Sequence, residues 1–107
     1  MANQEIIALL KKYLTLLKAE GISVEKAILY GSYSSNTATE SSDIDLMIVT
    51  NDRDANDDFI IGKIWSLTRK INTRIEPFLI SSERFNQNTD SPLVDLIKSK
   101  GVEIVQQ

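Results

Sequence analysis

Apolar residues recur at Ile6, Leu10, Tyr13, Leu14 and Leu17, the spacing of one face of an α-helix. Asn3 is the expected N-cap of that helix and Gly21 lies just past its end. The period then changes. "KAILY" (Lys26–Tyr30) reads as a short strand stopping at Gly31, and "DIDLMIVT" (Asp43–Thr50) as a second strand, apolar on both faces beyond Asp45. Such a run suits a covered central strand. The polar stretch "NDRDANDD" supplies caps for a second helix, whose face is traced by Ile60, Ile64, Leu67, Thr68 and Ile71 and widened by Ile61 and Trp65.

A third strand is expected at "TRIEPFLIS" (Thr73–Ser81). Pro77 has no amide hydrogen for a ladder bond, so this strand belongs at an edge or is irregular there. Ser91 and Pro92 form an N-cap followed by proline at the first helical position. "LVDLIKSK" continues this last helix, Gly101 ends it, and "VEIV" makes a final short strand. The order implies an α/β (α+β) fold with a mixed β-sheet flanked by helices. A length of 107 residues matches one domain, 1–107.

Composition narrows the chemistry. The chain has no cysteine and no histidine, which removes disulfides, thiolate and imidazole metal sites, and the serine–histidine and cysteine–histidine triads. Catalysis must use carboxylates, hydroxyls, amines or a hard cation bound by oxygen. A net charge of −3 argues against bulk nucleic-acid binding. No apolar run approaches the roughly 18 residues of a membrane span, and the N-terminus lacks a signal-peptide pattern. A cytoplasmic location is the expectation.

Two carboxylates interrupt the apolar pattern where the second strand begins. On a strand, Asp43 and Asp45 would share a face about 6.6 Å apart. Burying two unpaired like charges costs several kcal/mol per ion, and each opposes ionisation of the other. A divalent cation resolves both conflicts, and magnesium is commonly held by one or two carboxylates together with substrate phosphates. Gly31 and Ser32 close the preceding strand, apparently opening a short helical turn. Exposed amides there, with a hydroxyl beside them, would form a phosphate cradle. A third acid would complete a two-metal site with ions about 4 Å apart. Glu76 is the candidate, extended by the following Pro77 and able to act as base toward an acceptor hydroxyl.

The run Gly31-Ser32…Ser42-Asp43-Ile44-Asp45-Leu46 resembles the signature of the DNA polymerase β-like nucleotidyltransferase superfamily. "LYGSYSSNTATESSDIDLMIV" is close to the form found in its small prokaryotic branch, the minimal nucleotidyltransferases, and the resemblance covers essentially the whole chain. It implies the small nucleotidyltransferase fold and transfer of a nucleoside monophosphate to a hydroxyl with loss of pyrophosphate. Gly31 and Ser32 would hold the triphosphate of ATP. Asp43 and Asp45 would bind two magnesium ions, with Glu76 as third ligand and base. Members of the branch often pair with a helical HEPN-type toxin, and some act as antitoxins that adenylylate a toxin tyrosine. Two departures stand out: Asn36 replaces a frequent glycine, and Glu76 replaces a common aspartate, adding one methylene of reach.

The expected function is therefore magnesium-dependent transfer of AMP from ATP to a protein hydroxyl, with a HEPN-type partner or a second subunit completing the site. The alternatives are an antitoxin-like module acting by contact alone, and a transferase acting on a small molecule or an RNA end. Other features read more plainly. "DRDANDDF" fails as a calcium loop because Asp57 and Lys63 stand where glycine and glutamate are required. Arg69, Lys70 and Arg74 are expected at a solvated helix end. Phe59, Trp65 and Phe78 are expected in the core or at an interface.

Overall fold

A computed structural model describes residues 4–33, 37–39, 41–87 and 91–105. Helix α1 (Gln4–Ala19) precedes strand β1 (Lys26–Tyr30) and a single 3-10 turn, Gly31–Tyr33. Strand β2 (Ile44–Thr50) is followed by the short helix α2 (Asp52–Ala55), helix α3 (Asp58–Leu67) and a 3-10 turn at Thr68–Lys70. Strand β3 (Ile75–Ser81), the short helix α4 (Ser82–Asn86), helix α5 (Pro92–Lys100) and strand β4 (Val102–Glu103) complete the order.

The sheet is mixed, in the order β3-β2-β1-β4. Strands β2 and β3 run parallel, while β1 is antiparallel to both β2 and β4. β3 is thus an edge strand, as Pro77 requires. Alternation along each strand divides the apolar residues between two faces. Leu29, Ile44, Leu46, Ile48 and Ile75 face the larger core with α1 and α3. Ile28, Met47, Val49 and Ile80 face a smaller one with Phe85 of α4 and Val94 and Ile97 of α5.

Local chemistry sets the helix boundaries. The Asn51 side chain accepts from the Asp54 amide at 2.8 Å and caps α2. Asp57 accepts from the Phe59 amide at 2.9 Å and caps α3. Gly21, with a φ of 85°, takes the left-handed conformation that lets the chain leave α1. The buried Tyr13 hydroxyl donates to the Ile64 carbonyl at 2.7 Å, tying α1 to α3. Burial pushes this phenol well above its ordinary pKa, so it stays a donor at any physiological pH.

Several sequence expectations shift. β2 starts at Ile44 rather than Asp43, and β3 at Ile75 rather than Thr73. The Ser42 amide is taken by the Thr39 carbonyl at 3.1 Å, and parallel pairing begins only where the Ile44 amide donates to the Arg74 carbonyl at 2.8 Å. Helices α2 and α4 were not expected, being too short to show a period. Phe59, Trp65 and Phe78 are not core residues, with exposures of 75%, 45% and 42%. The Asn3 cap and the Asn36 departure lie outside the described residues.

Candidate active site

The pairing register assembles the site. Tyr30 of β1 stands opposite Asp45 of β2, and Asp45 opposite Glu76 of β3. These three residues form one row across the sheet, on the face of Ile28, Met47 and Ile80. Helices α4 and α5 cover that face further along, and the row lies at the end they leave open. There Asp45 is half-buried and Glu76 exposed, whereas the next residues on the same strand face, Met47 and Val49, are fully buried.

Asp45 and Glu76 are register partners on adjacent strands, so their side chains adjoin. Facing one another across the strand pair, the two carboxyl groups influence each other's protonation. Burial, then the Asp43 charge, raises the Asp45 pKa, against a lowering by the adjoining Glu76 carboxyl. The Glu76 pKa is raised by partial desolvation first, then by the charges of Asp43 and Asp45. Asp43 itself is exposed at the junction just before β2. The structure therefore brings Asp45 and Glu76 together, with Asp43 beside them. Among the described residues, no three acids close into a ready-made metal cage.

Gly31 is the next wall. Its φ is 75°, a left-handed conformation that side chains rarely adopt. A Cβ placed there would collide with the Asp45 Oδ2 atom. Glycine is thus required twice, by backbone conformation and by the carboxylate lying against it. Ser32 follows in the 3-10 turn, half-buried, with its carbonyl accepting from the Thr37 amide at 3.0 Å.

Arg74 has a different place from the solvated helix end expected of it. It is half-buried, and its guanidinium donates to the Tyr33 hydroxyl at 2.9 Å and to the Ser42 carbonyl at 3.3 Å. The Tyr33 hydroxyl in turn donates to the Thr39 carbonyl at 3.3 Å. One cation therefore clamps the turn carrying Gly31 and Ser32 to the segment that enters Asp43. Arg69 and Lys70 remain exposed.

Tyr30 is the other residue the sequence reading missed. Its phenol pKa is raised by burial first and then by the Asp45 and Glu76 charges. Parity gives the signal that could have found it, because a residue that ends β1 beside Gly31 must face the first acid of β2. For Arg74 the signal is weaker: a cation two residues before the acid of an edge strand.

The donor set can be weighed against a divalent cation. Asp43, Asp45 and Glu76 are hard oxygen donors, and desolvation followed by neighbouring negative charge raises the pKa of Asp45 and Glu76. A hard cation among them would offset both the desolvation and the like-charge repulsion, so the residues fit it.

Comparison with known proteins gives a consistent result. A family model described as "Polymerase beta, Nucleotidyltransferase" matches residues 4–107. A Methanocaldococcus jannaschii protein named "Putative protein adenylyltransferase MJ0604" is 34% identical over 79 residues, spanning 73% of this chain and 76% of that protein. Among solved structures, one described as a putative nucleotidyltransferase from Sulfolobus solfataricus superposes with a TM-score of 0.64 at 15% identity. That match covers 96% of this chain and 82% of the other. A toxin–antitoxin structure with AMP-PNP superposes with a TM-score of 0.62 at 18% identity, covering 91% and 73%. At these identities the two structures speak to the fold.

Proposed function

This chain belongs to the polymerase beta nucleotidyltransferase family, and from that premise we propose that it transfers AMP from ATP to a hydroxyl group of a protein partner. The observation that carries the proposal is the Asp45–Glu76 pair, set in register on adjacent strands against the left-handed turn at Gly31. A protein acceptor is favoured by the relative named for protein adenylylation. The fold shared with a toxin–antitoxin structure favours a toxin acceptor, and a helical HEPN-type protein is the partner we assign.

In this reading Gly31 and Ser32 hold the triphosphate through the 3-10 turn, where the missing side chain at Gly31 allows close approach. Asp43, Asp45 and Glu76 would hold two magnesium ions, which supply charge neutralisation at the attacking and leaving oxygens. The acceptor oxygen forms its bond to the α-phosphorus as the bond to the bridging oxygen breaks and pyrophosphate departs. Glu76, exposed beside Asp45, takes the hydroxyl proton. Arg74 does not touch substrate in this scheme; it fixes the cradle and Asp43 relative to each other. Catalysis rests on positioning and charge stabilisation.

The test is incubation with ATP labelled at the α-phosphate, magnesium and the candidate toxin. Label should appear on the toxin with the wild-type chain and disappear with Asp45→Asn. Magnesium should also raise the melting temperature of the wild type and not of that variant, a readout independent of transfer. Unlabelled toxin that is nonetheless neutralised, equally well by wild type and Asp45→Asn, would identify a contact-only antitoxin and overturn the proposal.

A further inference from the structure

Helix α3 buries one stripe and leaves another uncovered. Ile64 and Leu67 enter the larger core, whereas Phe59, Gly62 and Trp65 line the opposite side at three-residue steps. Phe59 is 75% exposed and Trp65 45%. Gly62 lies between them, exposed, and a Cβ there would meet nothing within 4 Å. Glycine is the poorest helix former after proline, and no contact among the described residues requires it at this position. Beside the stripe runs a cleft of about 360 Å³ bounded by Gly62, Trp65, Ser66 and Arg69.

The charges around α3 are polarised as well. Its N-terminal end carries Asp57 and Asp58, with Asp52 and Asp54 of α2 just before, whereas Arg69 and Lys70 follow its C-terminal end. Lys63 is engaged with Glu20, just past α1, at 3.3 Å. The arrangement is complementary to itself. Two α3 helices crossing antiparallel at Gly62 would set Phe59 of each copy against Trp65 and the cleft of the other. The same crossing brings the acidic end of each helix to the basic end of its mate. A two-fold interface requires this reciprocity.

We propose that the outer face of α3 is a homodimer interface, its occupant a second copy of this chain, centred on Gly62 and anchored by Phe59 and Trp65. Because α3 covers the sheet face opposite Asp45 and Glu76, the dimer leaves both candidate active sites open to a partner.

The chain alone should sediment as a species of twice its 12.0 kDa mass as its concentration rises from roughly 1 μM to 1 mM. Trp65 is the only tryptophan, so its emission should shift to the blue over the same range. Phe59→Ser and Gly62→Arg, checked by circular dichroism to be folded, should weaken association at least tenfold. Asp58→Lys and Arg69→Glu should each weaken it, and the two variants mixed should form a heterodimer. A wild type that remains monomeric throughout, or a dimer unchanged by Gly62→Arg and Phe59→Ser, overturns the proposal.

Discussion

The two faces of the sheet solve opposite problems. On one, α1 and α3 close a continuous core over Leu29, Ile44, Leu46 and Ile48, all essentially without exposure. On the other, α4 and α5 close only the part over Ile28, Met47 and Ile80, and the remaining end carries Tyr30, Asp45 and Glu76. The first face has its polar groups satisfied, as at the Tyr13 hydroxyl. The second holds carboxyl groups whose pKa values are raised by desolvation first and then by neighbouring negative charge. Adjacent residues of β2, Asp45 and Leu46, belong to these two regimes. Stability is made on the closed face, and strain useful to chemistry is kept on the half-open one.

Substitution at those two neighbours is the sharpest way to break the comparison. Asp45→Asn should lower transfer about a thousandfold, or ~4 kcal/mol in the barrier, while leaving the fold intact. Leu46→Ala should do the reverse. Leu46 has no exposed surface, so truncation should cost about 2–5 kcal/mol of stability through lost burial and the cavity left behind. Transfer by the fraction still folded should change little. Urea melts and labelled-nucleotide assays on both variants check this. A large stability loss from Asp45→Asn would show that the carboxylate belongs to the core after all.

Arg74→Ala tests the link between the turn and the strand. Removing the guanidinium leaves the Tyr33 hydroxyl and Ser42 carbonyl without their donor, a cost of about 1–3 kcal/mol. If the clamp positions the Gly31 turn, the Michaelis constant for ATP should rise and the maximal rate fall, by about tenfold each. Arg74→Lys should not restore both contacts, because an ammonium lacks the planar fork. Kinetics that match the wild type once folding is allowed for would leave Arg74 a structural residue only.

What could be read from the residues, and what could not, follows the same physical division. Helix α1 was visible because burial on one face imprints a period, and strand β1 because a short apolar run stops at Gly31. Asp45 was visible because a carboxylate in an apolar run conflicts with local consistency. Helices α2 and α4 were not, since four or five residues cannot establish a period against capping residues that suit any turn. Tyr30 required the register between β1 and β2. Arg74 required tertiary structure, because its partners lie 41 and 32 residues earlier in the chain. Trp65 is expected in the core or at an interface, and its exposure removes the core; hydrophobicity alone does not distinguish an inward stripe from an outward one on the same helix.

The smallest expected effect bears directly on the strain attributed to the half-open face. Asp45 and Glu76 both have pKa values raised in the folded chain. At pH below the ordinary carboxylate range, both groups are protonated folded and unfolded, and neither affects stability. As pH rises through that range, the unfolded chain releases its protons first, so the folded state loses stability until pH has passed the raised values. Without magnesium, the wild type should therefore be less stable at pH 7 than Asp45→Asn/Glu76→Gln, and the gap should close once pH falls below the ordinary carboxylate range. Its size should stay under about 1 kcal/mol, because solvent screens groups as open as these. A gap of opposite sign, with the carboxylates stabilising at pH 7 in the absence of metal, would mean that the acids are compensated within the fold and need no cation.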